Sequence, residues 1–77
     1  MAITVKYFAS LREWVGRPED RLEADGPLSV AQVWARACPG LELPERVLAA
    51  VNMEYVPRDH PVGDGDEVAF FPPMTGG

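Results

Sequence analysis

The feature that most constrains the fold is one strong amphipathic helix in the middle of a short chain. Ser29 and Gln32 are spaced as a capping box, and Leu28 with Val33 can form a hydrophobic staple around it. The apolar residues that follow the cap share one helical stripe, which consists of Val30, Val33, Trp34, Ala37, Cys38 and Leu41. Pro39-Gly40 closes the helix. A helix with one apolar stripe must bury it, so we expect the remaining segments to supply an apolar sheet face.

The segments around this helix are typical of short strands. Residues 3–8 alternate, so Ile3, Val5 and Tyr7 should face one way and Thr4, Lys6 and Phe8 the other. Further strands are predicted at Asp20–Ala24, with Leu22 inward, and at Ala49–Val51, Tyr55–Val56 and Glu67–Phe71. Turns are predicted at Asp25-Gly26-Pro27, Asn52-Met53-Glu54 and Asp64-Gly65-Asp66. This order predicts an α+β fold, with a mixed sheet packed on one main helix.

Two shorter helical segments are also predicted. Ser10 and Glu13 have the spacing of a second capping box, at the start of a helix of about a turn and a half. Gly16 and Pro18 should end that helix. The segment from Pro44 to Leu48 can form one more helical turn, with the proline at its first position.

Size and charge narrow the class of protein. Seventy-seven residues make a single domain, 1–77, whose core is small. No run approaches the ~20 apolar residues of a membrane span, and the N-terminus lacks the regions of a signal peptide, so we expect a cytoplasmic protein. The net charge of −5 argues against nucleic acid as a partner and favours a partner with a positive surface.

Conventional catalytic and metal-binding patterns are nearly absent. The chain has one cysteine and one histidine, too few for an intrachain disulfide or an ordinary zinc site. Cys38 lies on the apolar stripe and is interpreted as a small buried hydrophobe, and His60 as a surface or loop-anchoring residue. Asp64, Asp66 and Glu67 fall short of a calcium loop and are interpreted as a solvated turn. Four aromatic residues are predicted in the core: Tyr7, Trp14, Trp34 and Phe70.

The C-terminus is the segment best suited to chemistry. Pro72-Pro73 ends the last strand and directs the chain off the sheet, so 72–77 should form a flexible, projecting tail. The six steps from Phe71 to Gly77 can span ~20 Å. Gly76 and Gly77 have no Cβ and can thread a slot too narrow for other residues. The terminal carboxylate could therefore react inside another protein's active site, although a polar terminus can also simply fray.

A pair of aromatic residues supports a docking role. Phe8 and Phe71 both fall on the strand face opposite the predicted core, next to the tail. Exposed aromatic side chains grouped on one face are typical of a protein-binding surface.

Several blocks of the sequence resemble the small subunit of molybdopterin synthase. The blocks are Val5-Lys6-Tyr7-Phe8-Ala9, Leu11-Arg12-Glu13, Leu48 to Asn52, Asp59-His60-Pro61 and Asp64 to Gly77. They span nearly the whole chain, and the terminal block is specific, whereas Arg17 to Glu45 matches only in pattern. A Gly-Gly end alone would be weak evidence for this resemblance, because ubiquitin and the thiamine sulfur carrier share it.

The resemblance implies a ubiquitin-like β-grasp fold and a sulfur carrier that is not an enzyme on its own. It implies that an E1-like adenylating enzyme uses ATP to activate the Gly77 carboxylate. A sulfur donor enzyme then leaves a thiocarboxylate there. The tail, including Thr75 and Gly76, enters the large synthase subunit and delivers sulfur to cyclic pyranopterin monophosphate during molybdenum cofactor biosynthesis. No bound cofactor or metal is implied, and the assembly implied is a heterotetramer of two small and two large subunits.

The surface beside the tail is implied to contact these partners. Its residues would be Phe8, Arg12, Phe71, Pro72, Pro73 and Met74. Arg12 is a candidate polar contact to the activating enzyme, and a solvated helix residue is the plain alternative.

Two other functions fit the residues. One is a related carrier, either a sulfur donor for thiamine or tRNA thiolation or a ubiquitin-like protein modifier. The other is a protein-interaction module whose Gly-Gly end is incidental. Deleting Gly77 separates the carriers from the module, since a module should not depend on its last residue.

Overall fold

The structure is a computed structural model that describes residues 1–73. Two helices lie among seven strands in this part of the chain. In order they are β1 (Ala2–Tyr7), α1 (Ser10–Val15), β2 (Glu19–Glu23), β3 (Leu28–Ser29), α2 (Val30–Ala37), β4 (Leu48–Val51), β5 (Glu54–Val56), β6 (Pro61–Val62) and β7 (Glu67–Phe71).

The main sheet has the strand order β2-β1-β7-β4-β5. β1 and β7 are parallel at its centre, with Val5 opposite Val68 and Tyr7 opposite Phe70. The remaining pairs are antiparallel, so the sheet is mixed. With α2 packed on one face, this confirms the predicted α+β class and its β-grasp arrangement. The chain's last described strand is therefore central rather than at an edge.

The main helix begins and packs as predicted. Ser29 Oγ accepts a hydrogen bond from the Gln32 amide at 3.1 Å, and Gln32 Oε1 accepts one from the Ser29 amide at 2.8 Å. Its buried stripe includes Trp34, which meets Phe70 edge-to-face with ring centroids 5.0 Å apart. Trp34 Nε1 donates to the Leu41 carbonyl at 2.9 Å, so the indole is buried without losing its hydrogen bond.

The predicted capping box of the first helix is wrong. Ala9, not Ser10, is the N-cap, and no side chain caps the helix. The amides of Leu11 and Arg12 instead donate to the carbonyls of Phe8 and Ala9, at 3.1 Å each. Because Ser10 is the first residue inside the helix rather than the residue before it, its hydroxyl is not at the capping position. The helix does end at Gly16, in the left-handed conformation expected of a C-terminal glycine.

The predicted burial of Trp14 is also wrong. It was predicted in the core, yet it is 47% exposed, and it stacks over Trp34 with centroids 5.9 Å apart. The short α1 therefore buries only Leu11 completely and lays one face of the Trp14 ring on the core. Tyr7, Trp34 and Phe70 are buried as predicted.

Two short segments also differ from expectation. Pro44 to Leu48 does not form a helical element. A single hydrogen bond joins the Val47 amide to the Pro44 carbonyl at 3.2 Å, and Leu48 already pairs with Phe71 in the sheet.

The two-stranded sheet of β3 and β6, in which Leu28 pairs with Val62, was not predicted. Both segments are only two residues long, too short for periodicity to indicate a strand.

Candidate functional site

The sheet face opposite α2, here called the open face, carries the predicted aromatic pair. Phe8 follows β1, and its amide donates to the Phe70 carbonyl at 3.1 Å, which holds it beside the end of β7. Phe8 and Phe71 stack with centroids 5.0 Å apart and planes 8° apart. Phe8 is 42% exposed and Phe71 is half-buried. The prediction that these two rings lie together on this face is confirmed.

The apolar patch on the open face is wider than predicted. Tyr55 packs on Phe71 with centroids 5.9 Å apart, and Met53 in the preceding turn is almost fully exposed. Leu48, opposite Phe71 in the sheet, is exposed as well. None of these three was among the predicted contact residues. The alternation of β4 and β5 indicates which of their side chains share a face. It does not reveal that β4 lies next to β7 and β5 next to β4, because strand order is not a local property.

The open face also holds an ion pair. Lys6 Nζ lies 3.2 Å from Glu67 Oε1, with both side chains about 40% exposed. Glu67 stands at the start of β7, five residues before Pro72. A pair this exposed contributes little to stability, so we attribute no large structural role to it.

The acidic turn before β7 is held by its own side chains. Asp64 Oδ1 accepts from the Ala2 amide at 2.7 Å, and Asp66 Oδ2 accepts from the Gly63 amide at 2.8 Å. Asn52 Nδ2 donates to Asp66 Oδ1 at 2.9 Å. The hydrogen bonds from Gly63 and Asn52 lower the pKa of Asp66. These carboxylates thus cap backbone donors, and residues 1–73 contain no group of three or more His, Cys, Asp or Glu able to hold a metal ion.

Cys38 is buried, as predicted, within a polar cluster that was not predicted. Its Sγ donates to the Tyr7 hydroxyl at 3.5 Å, and that hydroxyl donates to Asp20 Oδ2 at 2.8 Å. Arg17 binds the same Asp20 oxygen through Nε and donates to the Ala37 carbonyl at the end of α2. Burial raises the pKa of both the Cys38 thiol and the Tyr7 phenol. A buried thiol with a raised pKa is a poor nucleophile, so the cluster is structural.

Of the remaining predicted residues that the structure describes, Arg12 lies on α1, and Pro72 and Pro73 follow β7. Arg12 is exposed on α1, and no hydrogen bond from its side chain occurs in the described part of the chain, so its contact role stays a prediction. The strand ends at Phe71 as predicted, with Pro72 half-buried and Pro73 exposed. Met74, Thr75, Gly76 and Gly77 lie outside the described residues.

His60 lies in a loop, where its carbonyl accepts from the Val30 amide at 3.0 Å.

The arrangement places the apolar patch of the open face directly beside Pro72 and Pro73, which follow β7. β7 is central, and its last residue, Phe71, is itself part of the patch. No helix among residues 1–73 is long and apolar enough to cross a membrane.

Comparison with known proteins gives full-length matches. The model of the ThiS family matches residues 5–77. The molybdopterin synthase sulfur carrier subunit of Escherichia coli is 45% identical over 84 aligned positions, which cover 97% of this chain and 99% of that protein. The subunit of the same name from Chlamydomonas reinhardtii is 43% identical, and the alignment covers all of both chains. The crystal structure of SAMP1 from Haloferax volcanii superposes with a TM-score of 0.81 at 29% identity over the whole of both chains.

Proposed function

This chain belongs to the ThiS family, and on that premise we propose that it is the sulfur-carrier subunit of a molybdopterin synthase. The observation that carries the proposal is its identity of 45% with a sulfur carrier subunit of that enzyme over almost the full length of both chains. A carrier subunit of this kind is not an enzyme by itself.

The chemistry of the proposed carrier takes place at Gly77. A carboxylate is a poor electrophile until it has a good leaving group, so an E1-like enzyme uses ATP to form the acyl-adenylate. A sulfur donor enzyme supplies sulfur at the oxidation level of sulfide, which bonds to the acyl carbon as the bond to AMP breaks. The resulting thiocarboxylate is a nucleophile at neutral pH, and its sulfur bonds to cyclic pyranopterin monophosphate in the large subunit. Water then cleaves the acyl C–S bond, which leaves the sulfur on the pterin and restores the Gly77 carboxylate. This carrier needs no bound cofactor, and we place the cycle in the cytoplasm.

The open face supports the proposal by supplying a place for the large subunit to dock. The stacked rings of Phe8 and Phe71 stand beside the exit of the C-terminal segment, so docking and delivery of Gly77 would use the same end of the sheet. We propose that two small and two large subunits assemble in this way, and that Arg12, Pro72, Pro73 and Met74 extend the contact.

A second candidate function is protein modification. It is favoured by the structural likeness to SAMP1 and to a second crystal structure from the same organism, that of small archaeal modifier protein 1. The two functions share activation of Gly77 and differ in the product. A carrier ends as a thiocarboxylate, whereas a modifier ends as an amide on a lysine of another protein.

The test is a reconstitution with the large subunit, the activating enzyme, ATP and a sulfur source. Intact mass should show exchange of one oxygen for sulfur at Gly77, followed by its loss when the pterin substrate is added. Deleting Gly77, or appending one residue, should abolish sulfur transfer and leave the melting temperature almost unchanged. Retained transfer in the extended protein would overturn the proposal. Amide-linked conjugates without any thiocarboxylate would favour the modifier.

A further inference from the structure

A trough crosses the open face beside the aromatic pair. It has a volume of about 290 Å³ and is lined by Ala50 and Ala69, by the aromatic rings of Phe8, Phe71 and Tyr55, and by Met53 and Glu67. We refer to it as the Glu67 trough. Ala50 and Ala69 are opposite each other in neighbouring strands, and both are more than 90% buried although neither belongs to the main core. Two methyl groups in the middle of larger side chains form its floor.

The lining matches a side chain with a long aliphatic part and a cationic end. Most of the surface is apolar, which suits methylene groups. One carboxylate, that of Glu67, is present in the lining, together with the rings of Phe71 and Tyr55, and aromatic rings attract a cation.

The backbone of Glu67 is held by hydrogen bonds, but its carboxylate can still accept further hydrogen bonds. The Asn52 amide donates to the Glu67 carbonyl at 2.8 Å, and the Glu67 amide donates to Asn52 Oδ1 at 3.0 Å. Within residues 1–73 its side chain has one partner, Lys6, at 3.2 Å from Oε1. A carboxylate can accept several hydrogen bonds, so a second cation can bind without displacing the first.

We infer that the Glu67 trough binds one arginine side chain of the protein partner. Its methylene groups lie over Ala50 and Ala69, and its guanidinium bonds the carboxylate of Glu67 beside the aromatic rings. An apolar side chain would remove water from the part of the carboxylate that Lys6 does not contact and would supply no donor in its place, which is costly. Arginine suits the site better than lysine because the planar guanidinium both stacks on rings and bonds carboxylates. The chain's net charge of −5 favours such a basic contact. The inference rests on the proposed function in taking the large synthase subunit as this partner.

The first test is a calorimetric titration of the large subunit with three variants. Glu67→Gln keeps the shape of the side chain and removes its charge, and it should weaken binding roughly tenfold or more. Glu23→Gln removes an exposed carboxylate of β2 and should change affinity less than about twofold. Ala69→Leu fills the trough and should weaken binding as well. Melting curves establish that each variant is folded.

A second measurement does not depend on the large subunit. Arginine amide, titrated into the isotope-labelled protein, should shift the amide resonances of Ala50, Glu67 and Ala69. Citrulline amide, which keeps the α-amino group and the shape of the side chain but lacks the guanidinium charge, should not. The shifts should disappear in Glu67→Gln.

The outcomes separate this inference from the proposed function. If the wild type binds the large subunit and Glu67→Gln binds equally well, the inference is overturned and the proposed function stands. If Ala69→Leu weakens binding to the large subunit and Glu67→Gln does not, the trough holds an apolar side chain. If the protein self-associates and Ala69→Leu abolishes that association, the trough holds a second copy of this chain. Either result overturns the inference. If the wild type does not bind the large subunit, the proposed function fails, and the comparison of arginine with citrulline decides the inference.

Discussion

The rings of Phe8 and Phe71 lie face to face on the open face of the sheet, with centroids 5.0 Å apart. Tyr7 and Phe70, the residues immediately before them, stack on the opposite face with centroids 6.4 Å apart. Neighbouring residues at the ends of two parallel strands therefore form two aromatic pairs, one outside and one in the core. This relationship allows binding and stability to be tested by substitutions at adjacent positions.

Phe71→Ala should weaken the complex with the large subunit about thirtyfold, equivalent to about 2 kcal/mol, because it removes a central aromatic contact. It should cost little stability, since Phe71 lies outside the core cluster. Phe70→Ala is the matched control and should cost ~3–5 kcal/mol of unfolding free energy, because its ring is fully buried. Titrations and thermal melts of both variants check this. Normal binding by Phe71→Ala would contradict a docking role for the open face.

Ser29→Ala should lower the unfolding free energy by ~1 kcal/mol, because it removes the hydroxyl that caps α2. Ser10→Ala should have almost no effect, since no side chain caps α1. Urea unfolding of the two variants measures the difference. Equal losses would show that Ser10 has a capping role that the structure does not contain.

Ala9→Gly should stabilise the protein by about 1 kcal/mol. Ala9 has φ 53° and ψ −130°, a conformation that costs an alanine energy and a glycine almost none. The gain is partly offset by the larger backbone entropy of glycine in the unfolded chain. Ala35→Gly, at an exposed position inside α2, should instead destabilise by about 0.5–1 kcal/mol. Chemical denaturation of both variants should give changes of opposite sign; destabilisation by both would mean that Ala9 is not strained.

Asp66 should contribute stability that is lost in acid. Hydrogen bonds from Gly63 and Asn52 lower its pKa in the folded protein below the value in the unfolded chain. This contribution to stability is therefore fully present above the pKa that Asp66 has in the unfolded chain. It is lost as pH falls through the pKa that Asp66 has in the folded protein. Asp66→Asn should melt below the wild type at neutral pH, and the gap should narrow as pH falls below about 4.

Asp25→Asn serves as the control for the acid melts, because it removes one exposed carboxylate and so reproduces the change in net charge. A gap for Asp66→Asn that stays constant with pH would mean that the carboxylate of Asp66 is not stabilised by folding.

Part of the candidate site was predictable because it depends on local pattern. The parity of Ile3–Phe8 and Glu67–Phe71 placed Phe8 and Phe71 on the same side of the sheet, and both the side and the contact are confirmed. Tyr55 and Glu67 were not assigned to this surface as contact residues. Their place around one trough depends on β4 lying between β7 and β5, and no local pattern determines which strands are neighbours.

The sequence by itself determined the main helix and the alternation of the strands. The Ser29 cap and the apolar stripe up to Cys38 act over three or four residues, so their physics is complete within the segment that shows it. Only the tertiary structure determined that Trp14 is half-exposed. It also determined that Arg17, Asp20 and Tyr7 form hydrogen bonds with one another next to Cys38. These outcomes depend on which surfaces meet after the chain folds, because burial and long-range hydrogen bonds are set by packing between elements rather than by residue spacing within one.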